Sequence, residues 1–178
     1  MAEKFDKLDQ KHIEFINNQH IFFVATAGCE GFVNLSPKGM DTLKIINPNK
    51  IIWLNYTGSG NESAAHVQEN ARMTIMWCSF DKKPLILKVY GKAKEIRENN
   101  NKWAEANKYF KMTNGVRQYF ELDISLVLTS CGYGVPYFEY KGERDTLIKW
   151  IENKGNIGIK EYQKQNNTIS LNGKRIDI

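Results

Sequence analysis

The sequence predicts a mainly β (α+β) domain, an antiparallel barrel of about seven strands with short helices on its outside. Three observations predict it. Apolar runs rich in β-branched and aromatic residues recur along the chain, as at residues 21–26, 51–54 and 73–78. Many of the links between such runs are tight polar turns, whereas a parallel neighbour needs a crossover of about a dozen residues or more. Helical periodicity is confined to a few short stretches between the strands.

Taken in order, Leu8, His12, Phe15, Ile16 and Gln19 share one stripe and predict an amphipathic helix over residues 7–19. Residues 21–26 then read as a buried strand, turned by Gly28-Cys29-Glu30-Gly31 into a second strand at 32–35. Residues 43–46 and 51–54 are strands joined by Asn47-Pro48-Asn49-Lys50. A short helix follows, with Asn61 as its cap and its end near Glu69. A strand at 73–78, the turn Asp81-Lys82-Lys83-Pro84 and a long strand over 85–96 come next, with Gly91 as a bulge or close-approach point. Residues 99–111 read as a helix with Trp103, Ala106, Tyr109 and Phe110 on one side, and residues 119–128 as the last long strand. Leu147, Ile148, Trp150 and Ile151 mark a helix ending near Gly155. Residues 156–178 form a polar tail, packed on the domain or trailing from it and loosely ordered.

Composition narrows the function. The 178 residues suffice for one domain with a sizeable core; hydrophobic residues make up 42% and charged residues 25%, as in soluble globular proteins. No stretch has the length or apolarity of a membrane span, and the charged N-terminus has no apolar segment behind it, so a cytoplasmic location is expected. The three cysteines, Cys29, Cys78 and Cys131, and the three histidines are scattered, so neither a disulfide framework nor a metal site is expected. A net charge of +5, evenly spread, suits an anionic ligand and does not point to nucleic acid.

The chemistry concentrates at residues 53–66. A strand stops at Gly58-Ser59-Gly60 and a helix opens at Asn61. Strand, glycine loop and helix N-terminus together bring backbone N–H groups and a helix dipole to one point, the makings of a phosphate site. Gly58-Ser59-Gly60-Asn61-Glu62-Ser63 nearly spells the dinucleotide fingerprint, and Asp81 sits near the ribose-binding position. Yet Ser63 replaces the third glycine, and hairpin-linked strands precede the loop where that fold begins with a βαβ unit. A mononucleotide in the crevice of an antiparallel barrel is the better reading.

Three blocks in order sharpen it. Asn34-Leu35-Ser36-Pro37-Lys38-Gly39, then Trp53-Leu54 with residues 57–66, then Thr129-Ser130-Cys131-Gly132-Tyr133-Gly134-Val135-Pro136 resemble the pyridoxamine 5′-phosphate oxidase-like flavin-binding proteins. The last block is similar to the mark of one bacterial and archaeal branch, and the resemblance spans about residues 10–155. It implies a split β-barrel domain over residues 1–155 that binds FMN at the interface of a homodimer. It further implies that Ser36, Lys38 and Gly39 approach the flavin and that Ser59, Gly60, Asn61 and Ser63 hold its phosphate or ribityl chain, with Asn55 and Thr57 beside that loop. Trp77 and Cys78 would wall the ring, and Cys131, Gly132, Tyr133 and Gly134 would close the site.

Departures bear on the reaction. The oxidases proper carry basic residues on the loop–helix segment and an Arg/His-rich C-terminal pattern. This chain has no basic residue between Thr57 and Gln68, and its tail lacks that pattern. Oxidation of pyridoxamine phosphate is therefore not expected. Two functions stay open: an FMN-dependent oxidoreductase acting on a small molecule, or a flavin, deazaflavin or haem carrier or sensor on the same barrel. No side chain stands out as an acid, base or nucleophile: Cys131 lacks a histidine at partner spacing, and His66 reads as a structural residue on its helix.

Overall fold

In the computed structural model, residues 2–111 and 114–178 are described. In chain order the elements are β1 (Glu3–Phe5), α1 (Gln10–Asn17), β2 (Phe22–Thr26), β3 (Asn34–Lys38), β4 (Leu43–Asn47), β5 (Lys50–Tyr56) and α2 (Glu62–Asn70). They continue as β6 (Arg72–Cys78), β7 (Ile86–Ile96), α3 (Trp103–Asn107), β8 (Val116–Ser130) and α4 (Thr146–Asn166). The strands run β3-β2-β6-β7-β8-β5-β4, each antiparallel to its neighbours, and β1 adds to β8. This is an antiparallel split β-barrel. Its eighth strand among the described residues is β1, too short to leave a periodic signal.

The core explains the strand sequences. Val24, Ile51, Trp53, Ile75, Trp77, Leu87, Val89, Phe120 and Leu122 fill the barrel, while Ile52, Leu54, Ile96, Ala106, Val116 and Tyr119 form a second cluster beneath α3. β5 feeds both clusters, so it is apolar on both faces and reads as an unbroken run. Gly91 sits where β8 accommodates an extra residue: Tyr90 faces Leu126 but Gly91 faces Ile124. A Cβ on Gly91 would lie 2.0 Å from the Asp123 carbonyl oxygen, so both expected roles, bulge and close approach, hold.

Several boundaries differ from the sequence reading. The first helix starts at Gln10 because Asp9 caps it: Asp9 Oδ1 accepts from His12 N at 2.8 Å, and His12 Nδ1 accepts from Asp9 N at 3.2 Å. The strand expected at 32–35 lies at Asn34–Lys38, leaving Phe32 and Val33 exposed. The helix expected over 99–111 shrinks to Trp103–Asn107, since Asn100 closes turns with its own side chain and backbone. The tail is not loose. α4 breaks at Gly155 (φ 63°, ψ 173°) and resumes as helix to Asn166, and Ile159 and Ile176 are buried.

Candidate functional site

β3 carries polar residues on the face where a barrel strand ordinarily carries apolar ones. Its register with β2 sets Asn34 opposite Thr26, Ser36 opposite Val24 and Lys38 opposite Phe22. Directly paired residues share a face. Asn34, Ser36 and Lys38 therefore line the side on which Phe22, Val24 and Thr26 are buried, and all three are half-buried while Leu35 points to solvent. At one end of this stripe the Lys38 ammonium lies 5.5 Å from the centre of the Trp53 ring. Burial, with the nearby Arg117 charge adding to it, lowers the Lys38 pKa to about 8. Arg117 is itself held down to about 10 by burial, partly opposed by Glu95. Among the described residues neither cation forms an ion pair with a carboxylate.

The glycine loop is held by its carbonyls. The Gly58 oxygen accepts from Asn167 Nδ2 at 3.0 Å, the Ser59 oxygen accepts a weaker bond from the same atom at 3.4 Å, and the Gly60 oxygen accepts from Arg117 Nη1 at 2.9 Å. No described peptide is cis, and in a trans peptide the N–H points opposite to the preceding carbonyl. The N–H groups of Ser59, Gly60 and Asn61 thus point away from these partners, and none donates to another described residue. No atom lies within 4 Å of a Cβ built on Gly58, and a Cβ on Gly60 would meet only Glu62 Oε1 at 4.0 Å. Three consecutive amides without a partner among the described residues are the donor set a phosphate takes.

Behind the loop the polar groups are mostly satisfied. Asn61 occupies the N-cap position of α2 but makes no side-chain cap, contrary to expectation; its Oδ1 accepts from Gln118 Nε2 at 2.6 Å, and its buried Nδ2 has no partner among the described residues. The Ser63 hydroxyl accepts from Asn34 Nδ2 at 3.2 Å and from Thr26 Oγ1 at 3.5 Å. His66 is buried with Nδ1 3.0 Å from Thr26 Oγ1. Thr57 is spoken for: its hydroxyl donates to the Gly115 oxygen at 2.9 Å and accepts from Gln163 Nε2 at 2.7 Å. Asn55 is buried opposite Gln118.

The remaining candidates lie farther out. Trp77 is a core residue against Phe22, and Cys78 is buried beside it, which raises its thiol pKa. Gly39 closes the turn after β3, its oxygen accepting from Thr42 Oγ1 at 2.6 Å. Gly132 has φ 67°, and a Cβ there would lie 2.9 Å from Leu85 N, so the glycine is a shape requirement. Cys131 and Tyr133 are exposed, and a Cβ on Gly134 would meet nothing within 4 Å. Beyond them the chain crosses back over the barrel: Phe138 packs edge-on against Phe80, and Tyr140 stacks on His20 at 3.6 Å. An open groove of about 960 Å³ lies beneath, lined by Lys38, Gly39, His20, Phe138, Tyr140 and Trp150 among others. Residues 131–134 do not line it.

The fold thus draws the β3 stripe, the glycine loop and the start of α2 into one wall, with Lys38 joining that wall to the groove. It adds residues that sequence reasoning missed: Arg117, Gln118, Gln163 and Asn167. Arg117 stands 57 positions from the loop it touches and Asn167 stands 109 from Gly58, and no local pattern marks either. Among the described residues no cluster of metal-ligating side chains occurs, and no helix is long and apolar enough to cross a membrane.

Known proteins agree with this architecture. The family model for pyridoxamine 5′-phosphate oxidase matches residues 8–131. A pyridoxamine 5′-phosphate oxidase family protein of Aspergillus flavus, ustO, is 33% identical over 187 residues, covering 95% of this chain and 75% of its own. Among solved structures, HupZ of Group A Streptococcus is 19% identical with a TM-score of 0.56, covering 67% of this chain and 91% of that one. An FMN-binding protein from Syntrophomonas wolfei is 17% identical with a TM-score of 0.50, covering 64% of this chain and 79% of its own. The family model and the sequence similarity agree: this chain belongs to the pyridoxamine 5′-phosphate oxidase family.

Proposed function

We propose that this chain binds FMN and acts as a flavin-dependent oxidoreductase on a small molecule, as a homodimer with the flavin at the subunit interface. One observation carries the flavin reading: the amides of Ser59, Gly60 and Asn61 are turned away from the partners that pin the preceding carbonyls and have no partner among the described residues. The residues fit the cofactor. The three amides, with Asn61 Nδ2 beside them, would hold its phosphate, and Lys38, which pairs with no carboxylate among the described residues, would add positive charge at the groove. FMN, when bound, supplies hydride or single-electron chemistry. The chain's own part is binding, orientation and exclusion of water by the apolar groove. The S. wolfei protein, described as FMN-binding, shares this fold. The exposed aromatics Tyr133, Tyr137 and Phe138 supply apolar surface of the kind a second copy covers.

Purification tests the reading. The protein should be yellow, absorb near about 450 nm and release FMN rather than FAD on heating. It should sediment as a dimer at micromolar concentration. A protein that is colourless and takes up no added FMN refutes flavin binding. Anaerobic reduction followed by substrate-dependent reoxidation separates an enzyme from a carrier.

A further inference from the structure

We infer that the C-terminal segment from Gln163 onward is the mount of the cofactor loop and that Asn167 is its positioning residue. The inference rests on the flavin reading for its ligand but not for its geometry. Arg117 on β8 holds the Gly60 carbonyl, and the tail holds those of Gly58 and Ser59. Gly58 and Gly60 have open space where a side chain would pack, and glycine is the residue with most backbone freedom to lose. Loop and tail are instead joined by hydrogen bonds at three successive points. Before the loop, Gln163 Nε2 donates to Thr57 Oγ1 at 2.7 Å; on it, Asn167 Nδ2 donates to the Gly58 and Ser59 carbonyls; after it, Leu171 N donates to Glu62 Oε1 at 2.9 Å.

The mount is itself anchored. Asn167 is fully buried at the end of α4, its N–H donating to the Gln163 oxygen at 2.9 Å, and Ile176 is buried in the main core. Because carbonyl and following N–H are opposed in a trans peptide, holding the Gly58 and Ser59 carbonyls fixes the direction of the Ser59 and Gly60 amides. The tail therefore aims the donors without touching the ligand. A preorganised loop binds more tightly because its ordering is complete before the ligand arrives.

The test is Asn167→Asp in the full chain, nearly the same shape but with an acceptor in place of the donor. Hydrogen exchange at Thr57, Ala64 and Ala65, the bonded amides that flank the loop, should quicken in the cofactor-free protein while β6–β8 stay protected, and FMN affinity by fluorescence titration should fall about tenfold. Gln163→Met should show the same pattern more weakly, and it carries the test if Asn167→Asp does not fold. Lys174→Met breaks the Lys174–Glu69 pair on the same segment without touching the loop, so it should leave both readouts unchanged. Unchanged exchange and affinity in Asn167→Asp overturn the inference, as does an equal effect of Lys174→Met. If the wild-type protein takes up no FMN, the flavin reading falls, and exchange alone decides whether the tail mounts the loop.

Discussion

Raising the pH from 7 to 9 should weaken FMN binding about tenfold in the wild-type chain and leave a Lys38→Met variant flat. The magnitude follows from the pKa of about 8 that burial imposes on Lys38. About nine-tenths of the free protein carries the ammonium at pH 7 and about one-tenth at pH 9, so a phosphate that binds the charged form loses roughly tenfold in apparent affinity. The sign follows from linkage. A bound phosphate, already a dianion above pH 7, favours the ammonium and raises its pKa, so binding above pH 8 takes up a proton and weakens as pH rises. The fall should level off after roughly tenfold to a hundredfold, the strength of one charge-assisted hydrogen bond. For folding alone the direction reverses. The folded-state pKa lies below the ordinary 10.5, the unfolded chain holds more protons between about 8 and 10.5, and this group's contribution to stability rises with pH there. The assay is flavin fluorescence titration at constant ionic strength, since screening alone would change the slope. A flat wild-type profile, or an equal slope in Lys38→Met, would mean that the ammonium does not meet the phosphate.

Three glycine substitutions separate ligand effects from fold effects. Gly60→Val should leave thermal stability within about 0.5 kcal/mol, because its Cβ meets only Glu62 Oε1 at 4.0 Å, yet weaken FMN binding about tenfold or more by covering the amides; unaltered affinity would place the phosphate elsewhere. Gly91→Ala should cost about 3 kcal/mol in urea unfolding, since its Cβ would sit 2.0 Å from the Asp123 oxygen, whereas Gly134→Ala, with nothing within 4 Å, should be near neutral. Equal midpoints for these two would show that β8 yields at its bulge.

The strands legible in the sequence were those whose burial is one- or two-sided and apolar. Residues 51–54 announced β5 because barrel and α3 both demand apolar side chains there. β3 was misplaced for the converse reason. Its inner face is Asn34, Ser36 and Lys38, so hydrophobic pattern pointed to the exposed Phe32 and Val33 instead. The order of strands along the chain was visible, but not that β8 lies between β5 and β7.

At the site, sequence and structure divided the work along similar lines. Local pattern identified the glycine loop, the helix after it and Lys38, because glycine spacing and a basic residue at a strand end are short-range signals. The structure alone showed what orients the loop. Arg117 reaches the Gly60 carbonyl because the pairing of β5 with β8 brings the two segments together, and Asn167 reaches Gly58 because α4 resumes after Gly155 and returns along the barrel. A tail of Asn, Gln and Lys carries no hydrophobic period and reads as loose, yet buried Asn167 and Gln163 donate to the loop carbonyls and to the Thr57 hydroxyl. The sequence determined where the glycine loop lies because local backbone freedom is written in residue type. Which way its amides point was decided only by tertiary structure, because that direction depends on donors brought in from 57 and 109 residues away.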